Sequence, residues 1–151
     1  VNFRFVLIAF IALAGSPAGL AVASEPTPLG KWKTIDDKTG EPSSVVRIYE
    51  EGGKLLGKIE SIIVKPGEDP NPKCDKCDGE RKGKPVVGLV FLWDLVKEKG
   101  GKWGSGRILD PENGSIYRCT VEPLEGGAKL KVRGYLGISL FGRSQEWYRM
   151  E

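Results

Sequence analysis

The stretch Ser44-Val45-Val46-Arg47-Ile48-Tyr49-Glu50-Glu51-Gly52-Gly53-Lys54-Leu55-Leu56-Gly57-Lys58-Ile59-Glu60-Ser61-Ile62-Ile63 decides the fold. Val46 and Ile48 recur at period two, and so do Leu55, Gly57 and Ile59. Alternation of this kind is the signature of strands with one face turned to a core. Between the two runs, Glu51-Gly52-Gly53 reverses the chain within a few residues, and glycine supplies the positive φ that such a turn requires. The segment is therefore read as an antiparallel hairpin, with strands over Ser44–Glu50 and Lys54–Ile63.

The same pattern extends in both directions. Upstream, Gly30-Lys31-Trp32-Lys33-Thr34-Ile35 alternates and stops at the turn Asp36-Asp37-Lys38-Thr39-Gly40. Downstream, Trp103–Leu109 ends at Asp110-Pro111-Glu112-Asn113-Gly114, where Pro followed by Asn-Gly is strong turn chemistry. Ser115–Val121, Lys129–Tyr135 and Gly142–Arg149 complete the set. Val86 to Trp93 is nearly all apolar. Leu89, Leu92, Trp93 and Val96 also fit a helical stripe, so this stretch is predicted as a strand running into a short helical turn. The polar segment from about Val64 to Pro85 is too long for a plain hairpin connection, so it is either functional or fastened down. About eight strands joined mostly by short connections predict an all-β, antiparallel up-and-down barrel. Closure removes the exposed edges on which a sheet aggregates.

Composition narrows the functions. The 151 residues include 21 Gly and 10 Pro, as suits a turn-rich all-β chain. Lys and Arg number 23 against 20 Asp and Glu, a near-neutral balance that gives no case for a nucleic-acid partner. Histidine is absent. That removes Ser-His-Asp and Cys-His catalysis, the commonest zinc ligand and the usual general base near neutral pH. Carboxylates, Lys, Tyr and Cys remain, so a His-free enzyme is the least favoured of three functional classes.

The N-terminal segment reads as a secretory signal. Arg4 precedes an apolar run from Phe5 to Ala14, Gly15-Ser16-Pro17 follows, and Ala21-Val22-Ala23 forms an A-x-A cleavage site. The run is shorter than the about 20 apolar residues of a membrane span. Cleavage after Ala23 is expected, leaving one domain over residues 24–151, without a membrane span and located in the periplasm.

Several motifs stand in order along this domain: Gly30-x-Trp32; Cys74-x-x-Cys77 followed by Gly88-Leu89; Asp110-Pro111-x-Asn113-Gly114-x-x-Tyr117; and Arg133-Gly134-Tyr135-x-Gly137-x-Ser139-x-x-Gly142-Arg143-x-Gln145-x-Trp147. Together they resemble the DUF2147 family of bacterial exported proteins. The resemblance implies a barrel like those of the lipocalin and calycin group, and no established reaction. It also implies that Trp32 on the first strand packs under Arg149 from the last. The other account of Trp32 is an ordinary core aromatic.

Cys74-Asp75-Lys76-Cys77 is the sharpest local motif. An oxidising compartment favours a disulfide between Cys74 and Cys77. Redox catalysis is a minor option, because the pair sits in a Pro-rich loop rather than at a helix start. Zinc would need Asp75, Asp78, Glu80 or Cys119 to complete its ligands, and ranks below the disulfide. Cys119 alternates with Tyr117 and Val121 and is expected inside as a small hydrophobe. On the last strand Arg143, Gln145, Trp147 and Arg149 share one face. Turned inward, that face would give the interior two guanidinium groups and an amide suited to a carboxylate-bearing guest. The competing account places Arg143 and Arg149 at the barrel rims, in water. Arg143, Gln145, Trp147 and Tyr117 are the candidate ligand-binding residues. Asp36, Asp37 and Glu41 read as a solvated turn, and Lys129, Lys131 and Arg133 as a solvated outer stripe or a weak contact with envelope polymers.

No residue is singled out as catalytic, and no cofactor or metal is expected. The leading expectation is a periplasmic, non-enzymatic barrel that binds a small or amphiphilic ligand. The alternative is a cell-envelope interaction or stress-related protein whose barrel is filled by side chains and which has a protein partner.

Overall fold

The computed structural model describes residues 24–150, so the expected signal segment and its expected cleavage after Ala23 lie outside the described residues. Eight strands follow in chain order: β1 (Gly30–Ile35), β2 (Pro42–Glu51), β3 (Lys54–Ile62), β4 (Val90–Lys97), β5 (Trp103–Leu109), β6 (Ile116–Leu124), β7 (Lys129–Tyr135) and β8 (Gly142–Met150). Each pairs antiparallel with the next, and β8 returns to β1, closing the barrel. The hairpin that decided the reading is present, with Glu51 opposite Lys54 and Ile48 opposite Gly57.

β4 departs from expectation. It is a strand through Leu95 and Val96, with no helical turn, and it starts at Val90 rather than Val86. The helical spacing has a local cause. Asp94 and Ser105, between the paired positions Trp93–Arg107 and Val96–Gly104, both have φ of 62°. This irregularity breaks the two-residue period, so Leu92 and Leu95, three apart, are both fully buried. Gly106 makes the arrangement possible, because a Cβ there would lie 2.4 Å from Leu95 Cγ. β6 runs three residues past the expected Val121. Its β5 partner ends opposite Val121, and Glu122, Pro123 and Leu124 pair with β7 alone.

In an up-and-down barrel, successive connections fall at opposite ends. One end carries the N-terminal approach to Gly30 and the connections at 52–53, 98–102 and 125–128. Trp32 seals it. The indole is fully buried, and its Nε1 donates to Pro28 O at 2.8 Å. The Arg149 guanidinium lies 4.2 Å from the ring centroid. It donates to three backbone carbonyls: Gly127 O at 2.5 Å, Leu29 O at 2.9 Å and Thr27 O at 2.5 Å. The packing of Trp32 under Arg149 implied by the resemblance is therefore present, and it ties the first strand to the last. Above this seal Val46, Ile48, Leu55, Leu92, Leu95, Cys119, Val121, Leu130 and Trp147 fill the interior below the open end, all nearly inaccessible to water.

The opposite end carries the connections at 36–41, 63–89, 110–115 and 136–141. The long connection is fastened down. Cys74 and Cys77 are joined as a disulfide, and Lys73 bridges to Pro85. Cys74 N donates to Lys84 O and Gly83 N to Cys74 O. Arg81 stacks at 4.2 Å on Trp93, whose strand neighbours Leu92 and Ile108 form the inward-facing pair beside it. Cys74 Sγ lies 3.6 Å from Pro111 O, and a Cβ on Gly114 would meet Lys76 O at 1.9 Å. The loop is thus laid along the flank of β4 and β5 and against the 110–115 turn, and is not folded into the barrel.

Candidate functional site

Inward-facing positions in the upper half differ from those below. Ser44, Ile62, Ile108, Tyr117 and Gln145 share the inner face, yet each remains partly open to water. Their placement follows from register. Ser44 lies opposite Thr34 and Ile62, Tyr117 opposite Ile108, and Gln145 opposite Val132. Gly134 leaves room between them, since a Cβ there would stand 3.6 Å from both Ile108 Cγ2 and Tyr117 Cβ. The result is a partly open end, called the mouth below, whose wall mixes apolar surface with hydroxyl and amide groups, while Thr34, Ile59, Phe91 and Val132 beside them are buried.

Trp147 forms part of its floor. It is 2% exposed, its ring centroid lies 6.0 Å from that of Phe91, and its Nε1 donates to Gln145 Oε1 at 3.0 Å. The structure therefore places Tyr117, Gln145 and Trp147 at one end of the barrel. The inner face of β8 does not bring both arginines into the interior. Arg143 stands at the rim, opposite Gly134, with its side chain 79% exposed and 3.5 Å from Asp37. Arg149 belongs to the seal at the far end. The account that put these arginines at the two rims is the one the structure supports, and a doubly cationic interior is not formed. Arg143 can still meet an anionic group entering the mouth.

Two residues of this wall were not anticipated. Thr34 Oγ1 lies 2.6 Å from Ser44 Oγ and 2.8 Å from Ser43 Oγ, a hydroxyl cluster where β1 leaves β8. Above Lys33–Tyr148 the two strands no longer pair. The period of two already placed Thr34 on the face of Trp32 and Ser44 on that of Val46, but only closure of the barrel joins them.

The other titrating groups lie away from the mouth's interior. Asp36 Oδ1 accepts from Thr39 N and Lys38 N, which holds its carboxyl below the usual range. Glu60 is held low by hydrogen bonds from Arg47 and Lys31 on the outer face. Lys129 pairs with Glu125 and Glu146, and Arg133 is engaged with the 136–141 loop, so the basic stripe on β7 is interleaved with partners. Among the described residues, no three Cys, Asp or Glu side chains gather as metal ligands. Two depressions lie outside the barrel, one beside Lys84–Val90 and one over the β1–β8 seam at Lys33, Ile35, Tyr148 and Met150.

Cys119, facing the filled lower half, has its thiol pushed up to about 12 by burial. At pH 8 only about one molecule in ten thousand then carries a thiolate, the reactive form. Native protein at that pH is expected to resist alkylation by iodoacetamide, and denaturant should release one reactive thiol. Rapid labelling of folded protein would show that Cys119 is reachable.

The barrel can be compared with known structures. It is similar to a protein of the human pathogen Helicobacter pylori, HP1028, described as belonging to the lipocalin family. The TM-score is 0.70 at 21% identity, over 85% of this chain and 84% of the other. No curated protein matches. The model of a bacterial family, described as "Uncharacterized protein conserved in bacteria (DUF2147)", matches residues 30–149, from the first residue of β1 to the arginine that seals the barrel. The chain belongs to the DUF2147 family and gives it a closed, eight-stranded, lipocalin-like barrel.

Proposed function

We propose that this protein is exported to the periplasm and there binds a small amphiphilic molecule at the open end of its barrel, without transforming it. The observation that carries the reading is the contrast between the two halves of the interior. Below Trp147 the side chains exclude water. Above it, inward-facing Ser44, Tyr117 and Gln145 remain accessible, over an aromatic floor and under the exposed cation Arg143. A few convergent polar groups on an otherwise apolar wall are what fixes a ligand's orientation. Depth limits its size. From Arg143 to Trp147 is four residues, roughly 10 Å along a tilted strand. That admits a polar head or a short acyl segment rather than a whole chain.

The packed lower half favours a second reading, an envelope interaction protein whose barrel is only a scaffold. One experiment separates the two. Protein recovered from the periplasm of a secreting host is examined by native mass spectrometry, then titrated with dodecanoate while tryptophan emission is followed. A chain beginning at Ser24 with a bound amphiphile, and emission that saturates with dodecanoate, is expected. Gln145→Leu should weaken binding roughly tenfold by removing one buried polar partner. An unliganded mass together with emission indifferent to dodecanoate at millimolar concentration would replace the binder with the scaffold.

A further inference from the structure

The open end is apolar outside as well as within. Among the described residues, eight of the ten large hydrophobic side chains that face water lie at that end of the barrel. Four belong to the β7–β8 connection: Leu136, Ile138, Leu140 and Phe141, between 60% and 77% exposed. The sealed end has no such loop. We infer that the mouth docks onto a phospholipid bilayer, with the 136–141 loop inserted at the headgroup boundary.

The loop is prepared for that environment. A backbone carbonyl taken out of water without a partner is costly, which keeps most loops from entering lipid. Here Arg133 satisfies the tip from beneath. Its Nε donates to Ser139 O at 2.9 Å and its guanidinium also reaches Leu140 O at 3.3 Å, while another nitrogen holds Ser144 Oγ at 2.9 Å. Phe141 N donates to Ile138 O, closing a further turn. The carbonyls of Ile138, Ser139 and Leu140 are thus engaged within the protein, while the apolar side chains of the loop face water.

Charge complements this arrangement. Three of the four apolar parts of the rim are followed in sequence by a cation: Lys65 after Val64, Arg118 after Ile116 and Tyr117, Arg143 after Phe141 and Gly142; Val87 is not. Lys65 and Arg143 face only Glu41 at 3.4 Å and Asp37 at 3.5 Å, exposed pairs that hold them weakly. Apolar tips with these cations behind them, among the acidic side chains Asp37, Glu41 and Glu112 of the same end, match acyl boundary and zwitterionic headgroup layer in that order. A six-residue loop is also narrower than the about 800 Å² per partner that a specific protein interface takes.

The inference stands independently of ligand binding inside the mouth. Its test is flotation of the secreted protein on large unilamellar vesicles of phosphatidylcholine and phosphatidylglycerol, three to one. The wild-type chain is expected to rise with the vesicles. The double substitution Leu140→Ser, Phe141→Ser should lower partitioning roughly a hundredfold, through loss of two inserted side chains. Both sites are exposed, so its melting curve should match the wild type, and its dodecanoate titration without vesicles should be unaltered. Wild type remaining at the bottom of the gradient would overturn the inference. So would equal flotation of both chains. A dimer in sedimentation equilibrium that the same substitutions dissolve would assign the apolar end to a second copy of this chain instead.

Discussion

Trp32→Ala is expected to lower the stability of the barrel by about 3–5 kcal/mol, because it removes a fully buried aromatic and leaves a cavity at the sealed end. For a domain of this length that is a fall in Tm of roughly 15 °C, a large part of the 5–15 kcal/mol that holds a typical domain folded. The side chain does more than fill space. Its Nε1 fixes the N-terminal approach through Pro28 O, and its face carries Arg149, which reaches Thr27, Leu29 and Gly127. Arg149→Met keeps much of the stem but removes the charge, so a cycle with Trp32→Ala and the double variant isolates the ring–guanidinium coupling. We expect about 0.5–2 kcal/mol for it. Denaturant titrations of the four proteins are the measurement. An unchanged midpoint for Trp32→Ala would mean that the ring is peripheral and that another group closes the barrel.

The hairpins and the inward face of Trp32 were legible in the sequence for one physical reason. Their information is local: period-two alternation, glycine turns and Asp-Pro-x-Asn-Gly specify structure within a few residues. The Arg149 partnership is not local. It spans 120 residues to Leu29, and only the family resemblance pointed to it. β4 was misread where a local rule broke. The stripe Leu89, Leu92, Trp93 and Val96 is not kept: Trp93 turns outward under Arg81, and positive φ at Asp94 and Ser105 lets Leu95, outside the stripe, join Leu92 in the core. Nothing short of the β5 partner, with Gly106 yielding space to Leu95, distinguishes strand from helix here.

The candidate site was legible in part for a related reason. Alternation put Gln145 and Trp147 on one face of β8, and Tyr117 with Cys119 on one face of β6. It said nothing about depth. Whether an inward residue is buried or wet depends on how far it stands from the rim, which is set by stagger across all eight strands. Arg143 and Arg149 share a face with Trp147 but fall on opposite sides of the packed region. Only Arg143, at the open end, can meet a ligand there.

Trp147→Ala tests that division. Its cost in stability should also be about 3–5 kcal/mol, since the ring is 2% exposed and packs on Phe91. Little of this comes from the hydrogen bond to Gln145, because Gln145 is within reach of water that can take the indole's place. The consequence for binding should be opposite to that of Trp32→Ala. A void at Trp32 is cut off from solvent by the packed lower half, whereas a void at Trp147 opens directly beneath the mouth. It extends the accessible depth toward Leu130, the residue opposite Trp147 on β7, and opens the packed core that also holds Cys119. An apolar probe such as anilinonaphthalene sulfonate should therefore bind folded Trp147→Ala several-fold more tightly than wild type, with its sulfonate toward Arg143, and should bind Trp32→Ala no better. The Cys119 thiol should become open to alkylation in Trp147→Ala at pH 9, while it stays protected in Trp32→Ala. Trp147→Phe, which keeps most of the volume, should restore protection and most of the stability. If probe affinity and thiol protection in Trp147→Ala match the wild type at a temperature where both are folded, Trp147 is not the floor of an open mouth, and the ligand site must be sought on the outer surface of the barrel.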